Sequence, residues 1–89
     1  MQIGKVVGTV VATRKDERLV GAKLLITQPL TANLEPQGEP IIAVDTVGAG
    51  IGETVLVVTG STARLAVAAA NAPVDAAIVG IVDSMDTER

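Results

Sequence analysis

No cysteine, no histidine and no aromatic side chain occurs among the 89 residues. Without cysteine the chain can form no disulfide and offers no thiolate to a metal. Without histidine it lacks the commonest general base and imidazole ligand, and neither Ser61 nor Ser84 can belong to a Ser–His pair. The missing Phe, Tyr and Trp remove the stacking platforms on which small barrels hold single strands. A net charge of −3 and a pI near 4.7 also oppose attraction to phosphate backbones. Nucleic acid is therefore not an expected partner. No run approaches the roughly 20 uninterrupted apolar residues of a membrane span, and Met1-Gln2-Ile3 lacks the basic start of a signal peptide. The expectation is a soluble cytosolic protein that does not contact membrane, is not an enzyme, and carries no catalytic group, cofactor or metal.

What is present is aliphatic. Apolar residues make up 48% of the chain, almost all Val, Ile, Leu and Ala, a mixture that suits strands. The length supports one domain, residues 1–89, and a domain of this size buries only roughly two thirds of the surface its unfolded chain exposes. More apolar surface is present than such a core easily hides, which predicts an oligomer.

Five β-rich runs, at about Met1–Thr13, Ala22–Pro29, Pro40–Val47, Thr54–Gly60 and Ala76–Met85, are bounded by turn signals. Five short strands predict an all-β protein, a small five-stranded barrel. Ser61 is read as the N-cap of one short helix over about Thr62–Ala66, with Ala-rich residues to Ala72 extending it and Pro73 stopping it. Residues 83–89 read as a polar tail. The pairs Val6-Val7, Ile41-Ile42 and Ile81-Val82, and the runs Leu24-Leu25-Ile26 and Val55-Leu56-Val57-Val58, put apolar groups on both strand faces. The outer face of several strands must then meet another layer, most simply a neighbouring subunit. Gly4, Gly8 and Gly80 are expected where backbones approach closely or bend.

Gly48-Ala49-Gly50-Ile51-Gly52 looks at first like a phosphate loop. It is followed by Glu53 and a strand, with no helix N-terminus to receive a pyrophosphate and no Lys-Ser/Thr pair. A glycine turn, or backbone packed against a symmetry mate, is the better reading. Gly60-Ser61-Thr62-Ala63-Arg64 offers hydroxyls and a cation to an anion, or else a capped helix whose Arg64 pairs across an interface. Arg64 is the only basic residue between Lys23 and Arg89, so it is the expected partner of Asp45, Glu53, Asp75 or Asp83 if any is buried. Aspartates beside turns are otherwise expected to accept backbone N–H groups. Lys5, Lys15, Arg18 and Lys23 are interleaved with Asp16 and Glu17 and read as a mixed solvated surface.

Taken in order, several stretches form one pattern: Met1-Gln2-Ile3-Gly4-Lys5-Val6-Val7-Gly8-Thr9-Val10-Val11-Ala12-Thr13, Lys23-Leu24-Leu25, Val44-Asp45-Thr46-Val47-Gly48-Ala49-Gly50, Val55-Leu56-Val57, Gly60-Ser61-Thr62-Ala63-Arg64 and Val74 to Asp83. It resembles the EutN/CcmL family of bacterial microcompartment vertex proteins over nearly the whole chain. The resemblance implies a small OB-like β-barrel assembling as a cyclic homopentamer. It also implies a structural role, capping the vertices of a polyhedral shell of a carboxysome or metabolosome among hexameric shell proteins in the bacterial cytoplasm. An OB-type binding module for a small anion or nucleic acid is the alternative. Carried over by position, Asp45, Gly48, Ala49, Gly50 and Gly52 match the family's glycine loop, and Gly60, Ser61, Thr62 and Arg64 its small-residue turn. Both are expected near subunit contacts or the central axis.

Overall fold

The structure, a computed structural model, describes residues 1–67 and 73–87. Strands β1 (Gln2–Val10), β2 (Leu24–Leu30), β3 (Ile41–Asp45), β4 (Thr54–Thr59) and β5 (Ala76–Ile81) each overlap one of the five aliphatic runs, β1 ending at Val10 rather than Thr13 and β5 at Ile81 rather than Met85. They close into a barrel in the order β1-β2-β3-β5-β4. All neighbours are antiparallel except β3 and β5, which run parallel. A 3-10 turn, Glu17–Leu19, lies between β1 and β2, and one helix, α1 (Ser61–Ala66), between β4 and β5.

Strand alternation divides the aliphatic side chains into two sets. Val6, Leu25, Ala43, Val55, Val57, Ala76 and Ile78 fill the barrel interior. Each fully buried Val, Leu or Ile contributes about 1.5–3 kcal/mol. Gly4 belongs to this inner set because nothing larger fits: a β-carbon there would lie 2.6 Å from Thr27 Cγ2 and 3.3 Å from the Gln28 carbonyl oxygen. A bulge between Val6 and Gly8 shifts the β1–β2 register and leaves Val7 unpaired.

The outer set is only partly covered within the chain. Val44, Val58 and Ala77 pack under Ala63 and Ala66 of α1 and under Leu19 and Ala22 of the first connection. Part of the two-faced pattern is thus satisfied by the chain's own helix rather than by another subunit. The remainder is only half buried, with Ile42 exposed. Leu30, Ile3, Leu56 and Gly80 lie side by side across four strands, and Gly8, Ile26 and Ile42 across three. Between these apolar rows runs the polar row Thr54–Lys5–Gln28.

Two expectations about α1 are corrected. Gly60, not Ser61, is the N-cap, with φ 70° and ψ −150°, and no side chain caps the helix. The Ala63 amide donates to the Gly60 carbonyl at 3.1 Å. The helix stops at Ala66, before Pro73, because Val67 is already extended at φ −99° and ψ 153°. The expected extension over residues 68–72 lies outside the described residues, as do residues 88–89 of the expected tail. Residues 82–87 have no regular structure, and the Val82 amide donates to the Thr54 carbonyl at 2.8 Å.

Candidate functional site

The β3–β4 loop, Thr46 to Glu53, closes one end of the barrel. Asp45 continues the inward parity of Ile41 and Ala43, and its side chain is only 2% exposed. Its Oδ1 accepts the Val47 amide at 3.1 Å and its Oδ2 the Ala49 amide at 2.9 Å. Lys23 Nζ stands 3.3 Å from Oδ2 and donates to the Ala49 carbonyl at 2.5 Å. The carboxylate, the ammonium and two amides thereby pin Ala49, which is fully buried, into the inner core. Gly48 and Gly52 supply the left-handed corners, with φ 82° and 92°. Glu53 Oε1 accepts the Gly50 amide at 2.7 Å, and the loop is stitched to β1 by Gly52 N to Val6 O at 2.8 Å and Val6 N to Glu53 O at 3.0 Å.

This geometry decides against a phosphate cradle. The amides of Val47, Ala49 and Gly50, which an anion would need, are held by the carboxylates of Asp45 and Glu53. Fixed negative charge occupies the place of a ligand, and a strand rather than a helix follows.

The expected pairing of Arg64 with Asp45 is also corrected. Asp45 is the buried carboxylate, and Lys23 answers it, because the β2–β3 pairing that bonds the Asp45 amide to the Lys23 carbonyl at 2.9 Å brings the two residues together. Lys23 is the residue missed in the sequence: assigned to a solvated surface, it is half exposed yet reaches the loop. Ser61, Thr62 and Arg64 are exposed on α1, while Ala63 is buried. The Gly60 amide donates to the Asp75 carbonyl at 2.8 Å, tying this turn to the start of β5.

The glycine loop and the Gly60–Arg64 turn are not brought together. They sit at opposite ends of β4, whose six residues span about 17 Å. The Gly60 turn instead neighbours Ile42, since Ile42, Thr59, Gly60 and Asp75 line one shallow depression. Charge elsewhere is local. Arg18 donates to both carboxylate oxygens of Asp16, from Nε at 2.9 Å and from a terminal guanidinium nitrogen at 2.7 Å. These side-chain bonds, with the Arg18 amide, hold the Asp16 carboxyl well below the usual carboxylate range. Among the described residues no group of three or more acidic residues forms a metal site, and no helix is long and apolar enough to cross a membrane.

The barrel is thus closed, its β3–β4 loop is held by Asp45, Glu53 and Lys23, and its outer wall on β2, β1 and β4 is only half buried. The chain belongs to the EutN/CcmL family, described as ethanolamine utilisation protein EutN/carboxysome, which matches residues 1–83. It is 52% identical over 87 residues to the bacterial microcompartment shell vertex protein GrpN of Rhodospirillum rubrum, with 98% of each chain covered. The solved structure of that pentameric microcompartment shell protein matches with a TM-score of 0.91, covering 99% of this chain and 100% of that one. The carboxysome shell vertex protein CcmL of Gloeobacter violaceus is 41% identical over 89 residues, covering 100% of this chain and 89% of its own. Its structure matches with a TM-score of 0.92 over 99% of this chain and 91% of that one.

Proposed function

We propose that this chain is a structural vertex subunit of a bacterial microcompartment shell, closing as a ring of five and seated among hexameric shell tiles in the cytoplasm. It acts by shape alone, without a catalytic step or cofactor. The observation that carries the reading is the GrpN match, which runs end to end at both the sequence and the fold level. The relatives named above are described as shell vertex proteins, which favours this role over an anion-binding or nucleic-acid-binding module. Physically, the half-buried wall supplies the apolar surface that a ring would bury.

Within this reading the nine candidate residues divide by accessibility. Asp45 and Ala49 are buried and act by holding the loop in shape, while Gly48, Gly52, Gly60, Ser61, Thr62 and Arg64 are exposed and available to a neighbour, with Gly50 between the two groups. The domain is taken as residues 1–89, with the segment from 83 onward peripheral to the barrel. Native mass spectrometry tests the ring: five copies of a 9.0 kDa chain give about 45 kDa, with fivefold particles by electron microscopy. A stable monomer at micromolar concentration would rule the reading out.

A further inference from the structure

The tip of the β2–β3 connection is closed by main-chain bonds. The Leu34 amide donates to the Thr31 carbonyl at 2.8 Å, and the Thr31 amide to the Glu35 carbonyl at 2.8 Å. Thr31 Oγ1 accepts the amides of Asn33 at 3.3 Å and Glu35 at 3.2 Å. Behind the tip, Pro36 bridges to Leu30, the Gln37 amide donates to the Pro29 carbonyl at 2.9 Å, and Gln28 Nε2 donates to the Gly38 carbonyl at 3.0 Å. This is a hairpin loop made of a turn followed by one left-handed residue, a place that favours glycine. Here it holds Leu34, at φ 64°, whereas every other left-handed position among the described residues is glycine.

Leucine is the harder residue to place there. A left-handed backbone presses its β-carbon against the following carbonyl, and glycine would relieve the strain without touching a bond listed above, since none uses the side chain of residue 34. The barrel gains nothing in return: Leu34 belongs to neither buried cluster and is 51% exposed. A strained position that holds an apolar side chain out to solvent from a rigid tip suits contact with something outside the chain, because the ordering has already been done.

We propose that Leu34 is an anchor that seats in an apolar socket edged by lysine or arginine on a different protein. The partner's chemistry follows from that of the loop. Between Thr31 and Pro40 the only charged residues are Glu35 and Glu39, both exposed, and no cation occurs between Lys23 and Arg64. Anionic lipid and nucleic acid are repelled by such a tip, and a cationic rim is drawn to it. This chain's own cations stand elsewhere. Arg14, Lys15 and Arg18 precede β2, whose seven residues set them about 20 Å from the tip. Arg18 is also tied to Asp16, Arg64 borders a depression with Ser61 and Asp75, and Lys5 lies in the polar row of the outer wall. The inference does not depend on the ring, since the loop's strain and charge are properties of one chain.

The test has two stages. The photo-cross-linking residue p-benzoylphenylalanine is placed in the full chain at position 34, and separately at position 33 beside an intact Leu34, and the cells that make the chain are irradiated. The protein captured is then purified and titrated by calorimetry with the unmodified chain, Leu34→Gly and Glu35→Lys. Leu34→Gly is expected to weaken binding by about 10-fold or more while its own unfolding midpoint rises, because the anchor is lost and the strain relieved. Glu35→Lys is expected to weaken binding by about 3-fold or more at low salt, with the difference shrinking as salt is raised. No adduct from either position, or adducts only with another copy of this chain, would overturn the proposal. So would a captured protein that binds Leu34→Gly as tightly as the unmodified chain. A lowered unfolding midpoint for Leu34→Gly would also overturn it, by showing that the leucine serves the fold.

Discussion

On the outer wall of β3, β5 and β4, Val44, Ala77 and Val58 lie beneath Ala63 of α1 and beneath Leu19, whereas on the outer wall of β2, β1 and β4 the residues Ile26, Ile3 and Leu56 are only half buried. The two walls share only β4: the first is made of Val and Ala, the second of Ile and Leu interrupted by Lys5, Gln28 and Thr54. They differ in what the chain does next: after β4 it turns at Gly60 and lays a six-residue helix over the first wall, whereas the second is flanked only by irregular segments, residues 82–85 beside Ile3 and Leu56 and Pro36 bridged to Leu30. An aliphatic outer face is therefore a demand for cover that one chain can answer in two ways. Here α1 and the first connection cover one wall and the other stays half exposed, in a chain that is alike end to end to a pentameric shell protein.

That division can be broken from either side. The largest expected effect is on the covered wall. Ala63→Glu places a charge at a fully buried position between α1 and the sheet and should cost the fold about 3 kcal/mol or more, read as a lowered urea midpoint at fixed protein concentration. Loss of assembly with the fold intact would mean that α1, rather than the half-buried wall, meets the neighbour. Next comes the loop lock. Asp45→Ala removes the acceptor of two amides and the partner of Lys23, and should cost about 2–4 kcal/mol. A change below about 0.5 kcal/mol would show that the loop holds its shape without the carboxylate. Gly52→Ala follows, at about 1–3 kcal/mol, because φ 92° is strained for any residue with a β-carbon; a neutral result in the same unfolding assay would remove the backbone argument for that corner.

How much of this was legible beforehand differs between the same two walls. All five strands could be read from aliphatic runs and turn signals, because closed-barrel strands need only short β-branched segments with punctuation between them. The surplus of outer apolar residues was legible too, but not its division, since alternation shows that a face is apolar without showing what lies on it. The helix boundary was misplaced because Ser61 has the chemistry of an N-cap while Gly60 has the conformation, and the backbone decides. Lys23 was missed because a lysine between a glycine-containing turn and a strand looks solvated. Only the β2–β3 register, which bonds the Asp45 amide to the Lys23 carbonyl, sets it against a buried carboxylate. The glycine loop was read correctly as a turn, and the structure supplies the reason: its amides are already occupied by Asp45 and Glu53.

The smallest expected effect on the chain is the most discriminating for assembly. Gly50 sits between the two strained corners without being one itself, and an added β-carbon there would meet only Glu53 Oε1, at an ordinary 3.5 Å. Nothing within the chain demands glycine at this position. Gly50→Ala should therefore leave unfolding within about 0.5 kcal/mol when assembly is held constant. If the loop abuts a neighbour's backbone in the ring, the same methyl group has to be accommodated at the contact, and dissociation on dilution should move to higher concentration while the fold is unchanged. Gly52→Ala cannot separate these effects, because it strains the chain as well. A Gly50→Ala ring that dissociates like the unmodified one would take the loop out of the subunit contact and leave it the single task of sealing the barrel with Ala49.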